Sequence, residues 1–143
     1  MRDRMFIDTS ILVYAFDKSD LKKHHTVTGL LGELRKNNRK LIISVQVLLE
    51  LYNVLTEFIE NPILPSEAVR ILDYFFKSEF WVKLDYTSVT ASRATVAAAG
   101  CGVKIWDVLI AETMKENGLH AIMTENEKDF GRIPGITVEN PFK

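Results

Sequence analysis

Apolar and polar positions follow two different periods along this chain. Short runs that are mostly apolar, Arg4–Ile7, Leu41–Val45, Phe80–Leu84, Ala121–Thr124 and Ile136–Val138, have the length and composition of strands. Between them, apolar residues recur every three or four positions. That spacing predicts helices near Ser10–Phe16, Lys22–Lys36, Gln46–Ile59, Ser66–Lys77, Ser88–Ala99 and Trp106–Glu116. Pro62 and Pro65 break the chain between the third and fourth helices, and Gly100, Gly102 and Gly118 punctuate the later ones. Alternating strands and helices predict a single α/β domain over residues 1–143. The expected architecture is a three-layer α/β/α stack on a mostly parallel sheet of four to five strands. Ligand sites in such sheets lie beyond the carboxyl ends of the strands.

Several acids break the apolar pattern. Asp8 sits between the strand Met5–Ile7 and the apolar run Ile11–Phe16, where an unpaired buried carboxylate costs several kcal/mol unless something compensates it. In the third helix Val47, Leu51, Val54 and Phe58 form an apolar stripe widened by Leu48 and Leu55, and Glu50 borders it beside Gln46 and Asn53. In the last long helix Asp107 shares a face with Ile110, Ala111 and Met114. Each has an ordinary explanation. Asp8 and Asp107 precede or open helices, where capping and dipole interactions contribute ~0.5–2 kcal/mol. Glu50 can reach water from its boundary, and Asn126, Glu127 and Asp129 fit a polar surface loop pinned by Phe130.

Taken together, these acids are harder to explain singly. Converging carboxylates repel, and persist where they hold protons or a cation. Oxygen donors without supporting cysteines point to Mg²⁺ or Mn²⁺, ions that align phosphates and activate water for in-line attack. On this reading Asp8 is a metal ligand rather than a cap.

Composition narrows the setting. Of 143 residues 47% are hydrophobic, which supports a packed core, and the net charge of -1 argues against a strongly basic nucleic-acid coat. Cys101 is the sole cysteine, so no intrachain disulfide or Cys-rich zinc site forms, as suits a reducing cytoplasm. The start MRDRMFID has no long apolar leader core. No run approaches the ~18 apolar residues of a membrane span, so the expectation is a cytoplasmic protein without a membrane partner.

The chain resembles the PIN-domain ribonucleases, in particular VapC-type toxins of toxin–antitoxin pairs. The resemblance spans nearly the full length and rests on FIDTSILVYAFD, SVQVLLELYNVL, IWDVLIAETM and IMTENEKDFGRIPGITVENP, in that order and at that spacing. It implies an acidic pocket holding one or two divalent ions (Mg²⁺ or Mn²⁺) for hydrolysis of single-stranded RNA. Asp8, Glu50 and Asp107 match the family's three most regular acids. Ser10 matches a supporting hydroxyl residue, and Thr124 the threonine that closes the last site strand. Many members carry aspartate two residues after that threonine, where this chain has Asn126. Asp129 is then the expected fourth acid, with the Asn126 carbonyl as an uncharged alternative ligand. Asp8 and Asp107 are expected to bind the principal metal. Glu50 would bind a second ion or orient a metal-bound water, and Asp129 with Asn126 would complete the shell or fix the water network. A homodimer and a small antitoxin covering the pocket are implied by the same resemblance.

Other features carry weaker messages. Lys22, Lys23, His24, His25, Arg35, Lys36, Arg39 and Lys40 read as a solvated helix face, or alternatively as a phosphate-contacting rim; the paired histidines are not expected to be ligands. Phe75, Phe76, Phe80 and Trp81 read as core, with a dimer surface as the alternative. A haloacid-dehalogenase-like phosphatase needs an acid where Ser10 stands, and a response-regulator receiver needs a lysine at the late strand end held by Thr124 and Glu125. The stronger rival is a PIN-like module that binds RNA or protein without cutting it.

Overall fold

The computed structural model describes residues 4–143. Five strands, β1 (Arg4–Ile7), β2 (Lys40–Ser44), β3 (Trp81–Leu84), β4 (Ala121–Met123) and β5 (Thr137–Glu139), form one sheet in the order β3-β2-β1-β4-β5. Every pairing is parallel. The helices are α1 (Thr9–Leu12), α2 (Leu21–Lys36), α3 (Val45–Asn53), α4 (Pro65–Lys77), α5 (Ser88–Cys101), α6 (Ile105–Glu116) and α7 (Glu127–Phe130), with a 3-10 turn at Val13–Ala15.

Crossovers β1→β2→β3 step outward in one direction and β3→β4→β5 in the other. Right-handed crossovers therefore place α1–α4 on one face and α5–α7 on the other, giving three layers. Phe6, Ile7, Ile42 and Ile43 are accordingly fully buried on adjacent, opposite-pointing positions, as strands covered on both faces require. A hydrophobic core runs from these strands through Val47, Leu51, Val108 and Phe130.

Local chemistry sets the helix starts. Ser44 accepts the Val47 N–H at the head of α3, so β2 ends at Ser44 and not at Val45. Asp20 caps α2 by accepting from Lys23, and Thr87 with Thr90 forms a reciprocal box at α5. Gly102, at φ +70°, closes α5 in a left-handed turn that β-carbon-bearing residues disfavour. The chain can then fold straight into α6, which carries Asp107.

Two expectations change. The predicted helix Gln46–Ile59 is α-helical only to Asn53. Over Val54–Phe58 it widens to a π-helical turn closed by Ile59 N–H to Val54 O, 3.2 Å. Past the wider ladder Phe58, expected in the stripe, faces solvent, while Leu55, four residues after Leu51, is buried as expected. The stretch after Thr124 is not an irregular loop: Asn126 accepts the Asp129 N–H and starts α7, which buries Phe130. Among the described residues no helix is long and apolar enough to cross a membrane. The reading of MRDRMFID as lacking an apolar leader core falls partly on positions 1–3, which lie outside the described residues.

Candidate functional site

The chain reverses its direction of travel across the sheet between β1 and β4, where Ile7 is in register with Met123. Their successors, Asp8 and Thr124, thus emerge side by side at the carboxyl edge, and Asp8 N–H donates to Met123 O at 3.0 Å. This is the switch-point crevice of an open parallel sheet.

Asp8 is 7% exposed. It precedes α1, yet its side chain makes no capping hydrogen bond of ordinary geometry. Instead its Oδ2 accepts the hydroxyls of Thr124 at 2.7 Å and Ser10 at 3.0 Å. Burial pushes its carboxyl above the ordinary range, only partly offset by those hydroxyls and nearby backbone N–H groups. The hydroxyls are themselves fixed. Ser10 Oγ and Thr124 Oγ1 lie 3.2 Å apart and accept the N–H groups of Glu125 and Asn126, each at 3.0 Å.

Glu50 reaches the same region from the second turn of α3. Its Oε1 accepts the Thr9 hydroxyl at 3.1 Å and its Oε2 the Gln46 amide at 3.3 Å, while that amide also donates to Trp106 O at 2.9 Å. Gln46 therefore ties α3 to the first turn of α6. Burial raises the Glu50 carboxyl first, and the charges of Asp8 and Asp107 add to it.

Asp107 is the third residue of α6, so the helix dipole still favours its charge, yet burial pushes its carboxyl up to about 6. The charges of Asp8 and Asp129 push the same way against Lys104, whose ammonium lies 3.9 Å off on a side chain 70% exposed. Asn126 bridges the last two acids: its amide nitrogen lies 3.4 Å from Asp107 Oδ2 and 3.2 Å from Asp129 Oδ2, and its Oδ1 caps α7. The structure thus brings Asp8, Ser10, Glu50, Asp107, Thr124, Asn126 and Asp129 into one neighbourhood, from four separate stretches of chain.

The donor chemistry fits a small divalent cation. Asp8 and Glu50 make no ion pair with a described residue, all four acids offer hard oxygen, and neighbouring carboxylates add to burial in raising the carboxyls of Glu50 and Asp107. Among the described residues no three His, Cys, Asp or Glu close on one point as a complete ligand cage would. Mg²⁺ needs no such cage, since it keeps several waters and binds through one or two carboxylates.

The remaining sequence candidates have other employment. His24 Nδ1 lies 2.7 Å from the Tyr14 carbonyl oxygen, Lys23 pairs with Glu125, and the Arg35 guanidinium stacks 4.8 Å from the centre of Phe80. Phe75 and Trp81 pack in the core with rings 5.1 Å apart, whereas Phe76 is exposed. Thr9 and Gln46 hold Glu50 in place and were not singled out from the sequence. The signal was present in Thr9, a hydroxyl beside a buried acid, and in Gln46, one helical turn before Glu50.

Residues 5–136 match the PIN domain, and the chain belongs to that family. Its fold is similar to VapBC-1 from nontypeable Haemophilus influenzae, at 17% identity and TM-score 0.68 over 98% of this chain and 99% of that one. It is also similar to VapBC2 from Rickettsia felis, bound to a DNA fragment from its promoter, at 23% identity and TM-score 0.66 over 96% and 98%. A third is VapC20 of Mycobacterium tuberculosis, a toxin that cleaves the sarcin–ricin loop, at 16% identity and TM-score 0.66 over 87% and 91%. No curated protein matches the chain in sequence.

Proposed function

We propose that this chain is a Mg²⁺- or Mn²⁺-dependent endoribonuclease that cleaves single-stranded RNA, acting as the toxin of a toxin–antitoxin pair. The observation that carries the reading is the gathering of Asp8, Glu50, Asp107 and Asp129 at the switch point, with Asp8 and Glu50 held by neutral partners only. One or two bound divalent ions would neutralise these acids, polarise the phosphodiester and supply activated water.

The chain's own residues do the rest. Thr124 and Ser10 both donate to Asp8 Oδ2, which fixes the carboxylate plane and directs its other oxygen away from them. Thr9 and Gln46 orient Glu50 in the same way, as a ligand to a second ion or a partner to a water. Asp107 would join Asp8 in holding the principal ion, and Asp129, which Asn126 holds beside Asp107, would complete the shell. VapBC2 and VapBC-1 are toxin–antitoxin complexes, which supports a small antitoxin as the partner that covers this pocket; a homodimer is part of the same proposal.

A second reading has one observation behind it. The uncharged Asn126 amide donates toward both Asp107 and Asp129, partly offsetting their repulsion without a metal, as a non-cleaving binding module would need. The two part on one experiment: purified protein and Asp8→Asn protein incubated with a mixed single-stranded RNA pool, in Mg²⁺, in Mn²⁺ and in EDTA. Metal-dependent products absent from the variant establish the nuclease. No products in any lane, with no metal uptake by calorimetry, establish the binder.

A further inference from the structure

A cavity of about 630 Å³ opens beside Glu50, between α3, the start of α6 and the chain just after β3. That volume lies within the usual small-molecule range of roughly 300–1,000 Å³. Leu49, Trp106 and Tyr86 supply its apolar faces, and Asn53 and Asp85 its polar edge. Trp106 is 59% exposed and Tyr86 40%, while the chain's other tryptophan, Trp81, is 6% exposed. A tryptophan left this open on a cavity wall is a face awaiting a partner.

The chemistry of the lining selects that partner. Among the described residues no Lys, Arg or His lines the cavity, and Glu50 and Asp85 make it anionic, so a phosphate is unwelcome. A flat heterocycle is not: aromatic side chains stack on any nucleobase for ~1–3 kcal/mol, and carboxylates accept from exocyclic amino groups. Asp85 Oδ1 accepts the Tyr86 N–H at 2.8 Å, which leaves its second oxygen without a hydrogen bond among the described residues. Gln46 stands in the same wall, and its buried Oε1 likewise has no partner there.

We propose that this cavity is the subsite for one unpaired nucleobase beside the cleaved bond, with Trp106 as the stacking face and Asp85 selecting an amino-bearing edge over uracil. The proposal rests on the nuclease reading for its place beside the bond, because Glu50 belongs to both sites and Trp106 immediately precedes Asp107. Phosphate would sit over the acids with their metal, and the base would turn into the cavity.

The test uses adenosine, cytidine and uridine, which carry no phosphate for the acids to repel, titrated against tryptophan fluorescence of the wild type and Trp106→Phe. Adenosine and cytidine should quench the wild type with half-saturation in the roughly millimolar range, and uridine about fivefold more weakly. Trp106→Phe, retaining only the buried Trp81, should not respond, and Asp85→Asn should narrow the difference between cytidine and uridine. Equal response to all three nucleosides, or a response that survives in Trp106→Phe, overturns the proposal. A wild type that cleaves the RNA pool yet shows no Trp106-dependent quench sinks the subsite and keeps the nuclease. Base-selective quench from a protein that cuts nothing keeps the base pocket and sinks the nuclease.

Discussion

Asp8 and Glu125 lie on opposite sides of Ser10, whose hydroxyl donates to the first residue's carboxylate and accepts the second residue's N–H, and the fold treats the two acids in opposite ways. Glu125 has its own cation. Lys23 pairs with it, Tyr14 donates its hydroxyl at 3.0 Å, and the Lys23 ammonium lies 5.2 and 5.0 Å from the centres of the Tyr14 and Phe142 rings. Asp8 has only neutral donors, hydroxyls and backbone N–H groups, and its charge in turn burdens the neighbouring Glu50 and Asp107. A carboxylate that merely braces a fold ends like Glu125, neutralised from within. The set around Asp8 is organised as finely but left short of positive charge, and the missing charge is what an external cation would bring.

Substituting Asp8 by Asn breaks that contrast with the largest effect. RNA cleavage in Mg²⁺ should fall to background, because the ligand charge is lost. The metal-free fold should melt at the same temperature or higher, because a buried repulsion is relieved and a side-chain oxygen remains to accept from Thr124. A drop of many degrees on thermal melting would return Asp8 to a purely structural role.

Thr124→Val comes next. The valine keeps the volume but removes the donor to Asp8 Oδ2 and the acceptor for Asn126 N–H. Loss of such a supporting bond costs about 10–100-fold in metal affinity or activity. Calorimetric titration with Mn²⁺ checks it, and an unchanged affinity would mean that Thr124 only closes the strand.

How these residues meet was legible in the sequence to different degrees. Strand and helix periods placed nearly every element, because parallel buried strands are apolar throughout and their helices are not. Asp8 and Asp107 were legible as acids on apolar faces. That Thr124 touches Asp8 depends on the β1–β4 register, which links residues 116 apart and leaves no local trace. The π-helical turn at Val54–Phe58 was hidden because apolar residues continue through it. Short α7 was hidden for the opposite reason, since four residues are too few to show a period, and only its Asn126 cap announces it.

The pH dependence of stability sharpens the comparison at Asp107, whose folded carboxyl is raised to about 6 from an ordinary 3.8. Below 3.8 both folded and unfolded forms hold the proton, and the group costs nothing. Between 3.8 and about 6 the unfolded chain releases its proton first, so this residue progressively penalises folding as pH rises; above about 6 the penalty is constant. The melting temperature of Asp107→Asn minus that of the wild type should therefore grow across that window and then level off. Mg²⁺ added above it should close the gap by stabilising the wild type alone. A difference that does not change with pH would mean that Asp107 is solvated and uncoupled.

The smallest effect is expected on the other side of the comparison. Glu125→Gln keeps an acceptor for Tyr14 but discharges the partner of Lys23, and both members of that pair are 31% exposed, so water already screens much of their attraction. The loss should be about 0.5–1 kcal/mol, a melting shift of a few degrees. Lys23→Met should cost a similar amount, and the double variant less than the sum, since the second change removes a charge already without its partner. Salt offers an independent check. Raising ionic strength should shrink the Glu125→Gln deficit, because screening weakens the wild-type pair, whereas the Asp8→Asn protein should not gain a deficit under the same salt. If both variants behaved alike, the fold would not be distinguishing a carboxylate with a resident cation from one without.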